Sequence, residues 1–280
     1  MTKQLQIDFD KITQSLNISE KDIEFKRKNL KKFIERGFPN RKQENWKFLD
    51  INQIIKTNIK DLSFFNDYSL PNKIDSSILI DGLEHNKIIF INGRIEKIDF
   101  DYEDKNKIEI NDEIEKQVLF DRENSLIDLN NAFTSKTFKI VIKENYTLKK
   151  PLIIYHTTNE KIKSKSINLR LDFELKQNSS LRVVDFFIDN SENNFMNILY
   201  NFNLSKDSIL KNYKIDKFKN NNLKYSFNNI EQETNSVSEI FIYSAGSNYF
   251  KNEVNCNLKG KYSSTFVNGV FSLTENQQHE

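Results

Sequence analysis

From Phe138 to the last residue, apolar and polar positions alternate with little interruption. Ile167, Leu169, Leu171, Phe173 and Leu175 share one face of an extended segment, and Met196, Ile198, Tyr200, Phe202 and Leu204 share one face of the next. Period-two alternation predicts strands with one face buried. The two segments also superimpose on each other. Phe173-Glu174-Leu175-Lys176-Gln177-Asn178-Ser179-Ser180-Leu181 matches Phe202-Asn203-Leu204-Ser205-Lys206-Asp207-Ser208-Ile209-Leu210 at an offset of 29. Polar corners recur at 178, 207, 235 and 262, spaced by 29, 28 and 27 residues. A period this regular points to a solenoid, and units made of strands with Asn/Ser corners point to a β-helix whose coils stack. A β-sandwich, whose unequal loops have no reason to keep such a spacing, is the alternative architecture.

The first sixty residues carry helical periodicity instead. Ser19 and Asp22 have capping-box spacing, and Ile23, Leu30, Phe33 and Ile34 recur on one face, so a helix is predicted over 19–36, stopped by Gly37 and Pro39. A second is predicted over 43–55, where Trp46, Leu49, Ile51, Ile54 and Ile55 supply apolar positions. Strand patterns then begin at Ile78-Leu79-Ile80. Ile88-Ile89-Phe90-Ile91 and Arg94 to Ile98 flank Asn92-Gly93, a strong hairpin signal. The acidic stretch 100–125 reads as loop with a short helix. The expected organisation is a helical region over 1–72, a mixed α/β connection with a hairpin over 73–136, and a β-helix core over 137–280, incomplete at its C-terminal end.

Composition narrows the function classes. The chain has 280 residues, enough for a core that needs no staple. Its 42 basic and 40 acidic residues give a net charge of +2, with the lysines interleaved among asparagine and isoleucine, so no basic face for nucleic acid is expected. A lone cysteine, Cys256, permits no internal disulfide and fits a reducing compartment, and no apolar stretch reaches the roughly 20 residues of a membrane span. A cytoplasmic protein with no membrane contact is the expectation.

Candidate chemistry is sparse. Val254, Cys256 and Leu258 alternate on one strand face, so Cys256 reads as a small buried hydrophobe, with an iron or persulfide ligand as the sharper alternative. His85, His156 and His279 stand apart, with no carboxylate or cysteine at ligand spacing. His156 ends an apolar strand and reads as a rim residue, and His279 reads as a corner. Trp46 with Lys47 is expected to be core rather than a docking site. Gly260-Lys261 lacks the earlier glycine of a phosphate loop, and its next hydroxyl residue comes one place late, after Tyr262. Asp172, Glu174 and Asp185 lie scattered, not clustered as a carbohydrate-active β-helix would need. No catalytic, cofactor-binding or metal-binding residue is assigned, and no enzymatic turnover is expected.

Four stretches, in order, resemble the SufB/SufD family of iron–sulfur cluster assembly proteins, the SufD branch in particular. They are Gly37 to Leu49, with its Pro39-Asn40-Arg41-Lys42-Gln43-Glu44-Asn45-Trp46-Lys47 block; Phe90-Ile91-Asn92-Gly93; Leu129-Asn130-Asn131-Ala132-Phe133 followed by Lys150-Pro151-Leu152-Ile153-Ile154; and Leu258-Lys259-Gly260 with Asn268-Gly269-Val270 before Gln278-His279. The resemblance implies a right-handed parallel β-helix behind an N-terminal helical region. It also implies an accessory scaffold role beside a SufB-type paralogue and a SufC-type ATPase. No cofactor would be held by this chain alone, and an iron–sulfur cluster would be present transiently in the assembled complex. Family members extend past the position of His279 into further coils and a helical domain that carry the subunit and ATPase contacts, so this sequence reads as C-terminally truncated. A structural or adhesive β-solenoid is the alternative.

Overall fold

The computed structural model describes residues 2–16, 18–64, 76–113, 123–159, 162–189, 191–218, 222–274 and 276–280. A helical head precedes the strands: α1 (Thr2–Ser15), α2 (Glu20–Arg36) and α3 (Ile51–Ile54), the last running on into a single π-helical turn, Ile55–Ile59. The strands that follow are β1 (Asn86–Ile91), β2 (Arg94–Asp99) and β3 (Ile108–Glu113). Then come α4 (Ser125–Phe133), β4 (Thr137–Ile142), β5 (Leu152–Thr157), β6 (Ser166–Leu175), β7 (Ser180–Asp189), β8 (Phe195–Leu204) and β9 (Ile209–Phe218). The chain ends with β10 (Leu223–Gln232), β11 (Val237–Ala245), β12 (Tyr249–Leu258), β13 (Ser264–Ser272) and β14 (Gln278–His279).

Strands β4 to β13 alternate between two sheets, ordered β13-β11-β9-β7-β5-β1-β2 and β14-β12-β10-β8-β6-β4-β3. Every neighbouring pair from β4 onward is parallel, so the chain winds as a parallel β-solenoid of about five turns. The antiparallel strands β2 and β3 close one end, covering edges that would otherwise invite pairing. Glu103 ties that closure down. Its carboxylate accepts from Asn86 Nδ2 (2.7 Å), the Tyr146 hydroxyl (2.6 Å) and the backbone N–H groups of Lys149 and Lys150 (3.1 and 3.0 Å). Burial alone would raise its pKa; the four donors outweigh that and hold it below the ordinary value.

The corners explain the period. Asn178, Asp207, Asn235 and Tyr262 all have positive φ (54°, 60°, 58° and 61°), which asparagine and aspartate tolerate better than other L-residues. The backbone N–H at the first three corners donates to the coil above: Asn178 to Lys206 O, Asp207 to Thr234 O and Asn235 to Lys261 O, at 2.9–3.0 Å. A serine follows each corner residue. The hydroxyls of Ser179, Ser208, Ser236 and Ser263 donate to the carbonyl three residues back at 2.7–2.8 Å, closing each turn with a group no water has to satisfy.

Inward residues of both sheets form one apolar core, with Leu171, Phe173, Ile198, Phe202 and Ile230 among them. The outward faces of β8 and β10 are also buried, because Phe195, Leu199, Leu223 and Tyr225 pack against Phe33, Phe38, Trp46 and Leu126 of the helical segments. The strands expected to bury one face therefore bury two wherever the head lies.

Several helix and strand boundaries differ from expectation. α2 begins where predicted, with Ser19 Oγ accepting from Asp22 N (3.2 Å), and ends at Gly37, whose N–H donates to Phe33 O at 2.7 Å and whose φ is +70°. The helix expected over 43–55 is instead a 3-10 turn (Glu44–Trp46), a break and α3. Asp50 caps a fresh start by accepting from Gln53 N (2.9 Å), which leaves Phe48 exposed. α1, with Leu5, Phe9 and Ile12 buried, is an additional helix. Ile78-Leu79-Ile80 is not a strand, since it lies across the face of β1 and β5 rather than pairing with their edge. Within 100–125 the described residues hold strand β3, and the helix begins at Ser125; residues 114–122 lie outside the described set.

Candidate functional site

Coil stacking across β5, β7, β9 and β11 puts residues one coil apart, 28 to 31 positions along the chain, on top of one another inside the solenoid. His156 on β5 sits in register with Phe187 on β7, and Phe187 with Asp216 on β9; beside them Ile154, Asp185 and Lys214 form the neighbouring column. All of these side chains point inward, and Tyr200 and Lys224 face them from the opposite sheet.

The result is a polar cluster sealed in an apolar core. Asp185 accepts from Lys214 Nζ (3.3 Å), Asn212 Nδ2 (3.1 Å), the Tyr200 hydroxyl (3.1 Å) and His156 Nε2 (3.4 Å). Lys224 pairs with Asp216. Each ammonium also lies on an aromatic face, Lys214 3.3 Å from the Tyr200 ring centroid and Lys224 3.1 Å from that of Phe187. His156 is sandwiched between Phe187 (4.1 Å, 4° between planes) and Phe90 (5.3 Å, 7°).

Electrostatics follow from this enclosure. Burial would raise the Asp185 carboxyl, but the Lys214 charge and the His156 and Asn212 hydrogen bonds prevail and hold it well below the carboxylate range. Burial drives His156 down, only partly offset by Asp185, so the imidazole is neutral and its Nε2 carries the proton given to Asp185. Burial lowers Lys214 against the pull of Asp185 and Asp216, and lowers Lys224 to about 8 against Asp216. It raises Tyr200, and the charges of Asp185 and Asp216 push the same way. Two carboxylates and two ammonium groups thus balance. Three acceptors, Asn212 Oδ1, Asp216 Oδ2 and Asn228 Oδ1, have no hydrogen-bond partner among the described residues. Such an arrangement can hold a fixed charge pattern inside the solenoid.

The expectation for His156 is therefore corrected: it is an interior residue, 3 % exposed. Leu152 to Tyr155 are apolar on both strand faces, so parity alone did not reveal which way it points. Asp185, read from the sequence only as one of three scattered acids, is an interior anion. The sequence period did not place them there: β5 stacks on β7 with His156 opposite Phe187 and Ile154 opposite Asp185, an offset of 31 rather than the 29 that relates β7 to β9.

The remaining candidates lie elsewhere. His85 donates from Nδ1 to Leu83 O (2.6 Å) and accepts from the Tyr155 hydroxyl (2.8 Å), on the outer face of its sheet. His279 Nδ1 accepts from Ser244 Oγ (3.0 Å) and its Nε2 donates to Ser247 O (2.7 Å), at the end of the solenoid. Cys256 does alternate with Val254 and Leu258 and stacks on Ile230, but it is exposed rather than buried: β14, which pairs with β12, meets only Tyr249 and Phe250. Partial desolvation raises its thiol pKa, with a Thr265 hydrogen bond opposing. Trp46 is core as expected, packed on Tyr225 (5.5 Å) beneath Lys251 Nζ (4.8 Å). Among the described residues no three His, Cys, Asp or Glu converge as a metal site, and no helix is long and apolar enough to cross a membrane.

A two-sheet parallel β-solenoid with a helical head and a polar core is the class of protein that fold and site define. Residues 155–280 match the family model for the SufBD core domain of the SUF system of FeS cluster assembly, which supports the SufB/SufD family for the solenoid. No curated protein matches the chain.

Proposed function

We propose that this protein is an accessory, SufD-like scaffold subunit of a SUF-type iron–sulfur assembly complex, acting in the cytoplasm with a SufB-type paralogue and a SufC-type ATPase. The family match over the solenoid carries the reading. The ligand inventory supports the accessory role. A cluster held by cysteine thiolates takes about four of them, and this chain has a single cysteine, Cys256. Any nascent cluster would be a cargo shared with partner side chains, with this subunit supplying a stiff wall and no turnover of its own. The interlocked corners and the ion-paired core suit it to hold such a surface without deforming.

Co-expression of the full-length gene product with a SufB-type and a SufC-type protein, followed by affinity purification and size exclusion, tests the reading. Retention of both at fixed stoichiometry is expected. Recovery of the full-length product free of both partners overturns it in favour of a purely structural solenoid.

A further inference from the structure

The two sheets treat their outer faces differently. Beside the helical head, one outward column of the sheet that holds β6, β8, β10 and β12 is Asp172, Asn201, Asn229 and Asn255, where amide side chains bond from strand to strand. The opposite sheet carries outward columns of another kind: Tyr155, Phe186, Ile215, Tyr243, and, beside it, Ile153, Val184, Tyr213, Phe241. Tyr213, Phe241 and Tyr243 are 37–38 % exposed. A continuous apolar and aromatic sheet face open to water marks a contact surface.

The chain shows what this face accepts. At its β1–β5 end, Leu79 and Ile80 lie across Ile89, Ile91, Ile153 and Tyr155, and Ile80 N–H donates to the Tyr155 hydroxyl (3.2 Å). That covering stretch reads Ser76-Ser77-Ile78-Leu79-Ile80-Asp81-Gly82-Leu83-Glu84, an apolar centre followed by two acids. Tyr243 stands in the same column as Tyr155, three strands further on, and presents the same phenol. The flanking outward column is Arg182, Lys211, Glu239; Lys211 pairs with Glu239 (3.0 Å), while Arg182 has no ion pair among the described residues.

We propose that the outer face of β7, β9 and β11 is a docking surface for an extended apolar segment bearing a carboxylate, contributed by a partner protein. The segment lies across these strands as Leu79–Ile80 lies across β1 and β5, with a backbone N–H on the Tyr243 hydroxyl and its acid on Arg182. This inference does not depend on the iron–sulfur reading.

A fluorescent peptide of the sequence of residues 76–84, titrated by anisotropy against the full chain, is the probe. Saturable binding with Kd on the order of 100 µM is expected for a few apolar side chains and one ion pair. Phe241→Ser with Tyr243→Ser should weaken it at least about tenfold through lost apolar burial. Arg182→Glu, an exposed change that spares the fold, should weaken it about threefold at low salt and less at high salt. Unaltered melting curves certify the variants. No saturable binding overturns the proposal, as does equal affinity for wild type and the double variant, which would place the peptide elsewhere. Sedimentation equilibrium showing a dimer that the double variant abolishes also overturns it, since the occupant would then be a second copy.

Discussion

Lys214 Nζ lies 3.3 Å from Asp185 Oδ2 in the middle of the solenoid, with the two side chains 1 % and 0 % exposed. The pair comes from adjacent strands of one sheet, β9 and β7, at facing register positions. Two charges so far from water are tolerated only because each meets the other and further polar or aromatic partners.

Removing one partner should therefore cost far more than removing both. Asp185→Ala leaves Lys214 buried without its anion and should destabilise by about 3–5 kcal/mol, whereas Asp185→Leu with Lys214→Met should recover most of that loss. Urea midpoints of the two singles and the double check this; a double as unstable as the sum of the singles contradicts it.

Acid should weaken the fold in two stages. His156 is depressed in the folded state, so the unfolded chain binds its proton first, and stability falls as pH drops below about 6.5 toward the lower folded pKa. Asp185 and Glu103 are also depressed; their contribution is complete above the unfolded carboxylate values and is lost as pH falls through their folded ones. His156→Phe, matched to the Phe90 and Phe187 rings it lies between, should flatten the upper stage and, by removing a donor to Asp185, shrink part of the lower, whereas Glu103→Gln should reduce the lower alone. Urea denaturation at half-unit pH steps resolves both.

Tyr262 occupies a corner where the other coils use asparagine or aspartate, and its φ of 61° is unfavourable for a bulky side chain. Its ring is 85 % exposed, so little packing opposes replacement. Tyr262→Asn should stabilise by about 1 kcal/mol. Ser208→Ala, which deletes a corner hydroxyl bond, should cost about 1 kcal/mol. Thermal melts of both variants provide the check.

Gly260 has a steric reason to be glycine. A β-carbon there would fall on the backbone of Glu233 and Thr234 in the coil below. Gly260→Ala should force those turns apart and destabilise by about 2–3 kcal/mol, measured as a lowered urea midpoint.

Trp46 is the lone tryptophan and sits between head and solenoid, so its fluorescence reports their separation. If the shared core holds them as one cooperative unit, emission and far-UV circular dichroism should change at the same urea concentration. Trp46→Ala should cost about 3–5 kcal/mol, as large aromatic truncations in cores do.

Period and parity were legible from the residues alone. The corners at 178, 207, 235 and 262 and the inward sets on β6 and β8 stand where alternation placed them, because strand geometry fixes which side chains share a face. Ser19 and Gly37 likewise bounded α2, since capping is a local interaction. Asp50 shows the limit of periodicity: one side-chain cap restarted the chain and split the helix that apolar spacing suggested over 43–55.

What the amino-acid order determined by itself was the repeating coil, its corner chemistry and one correctly bounded helix, all consequences of interactions within a few residues or of a constant period. Tertiary structure alone decided which strand face would be covered by the head, that His156 points inward, and that Asp185 meets Lys214. Those outcomes depend on inter-strand register and on which layer packs over which sheet, and neither is encoded in any single segment.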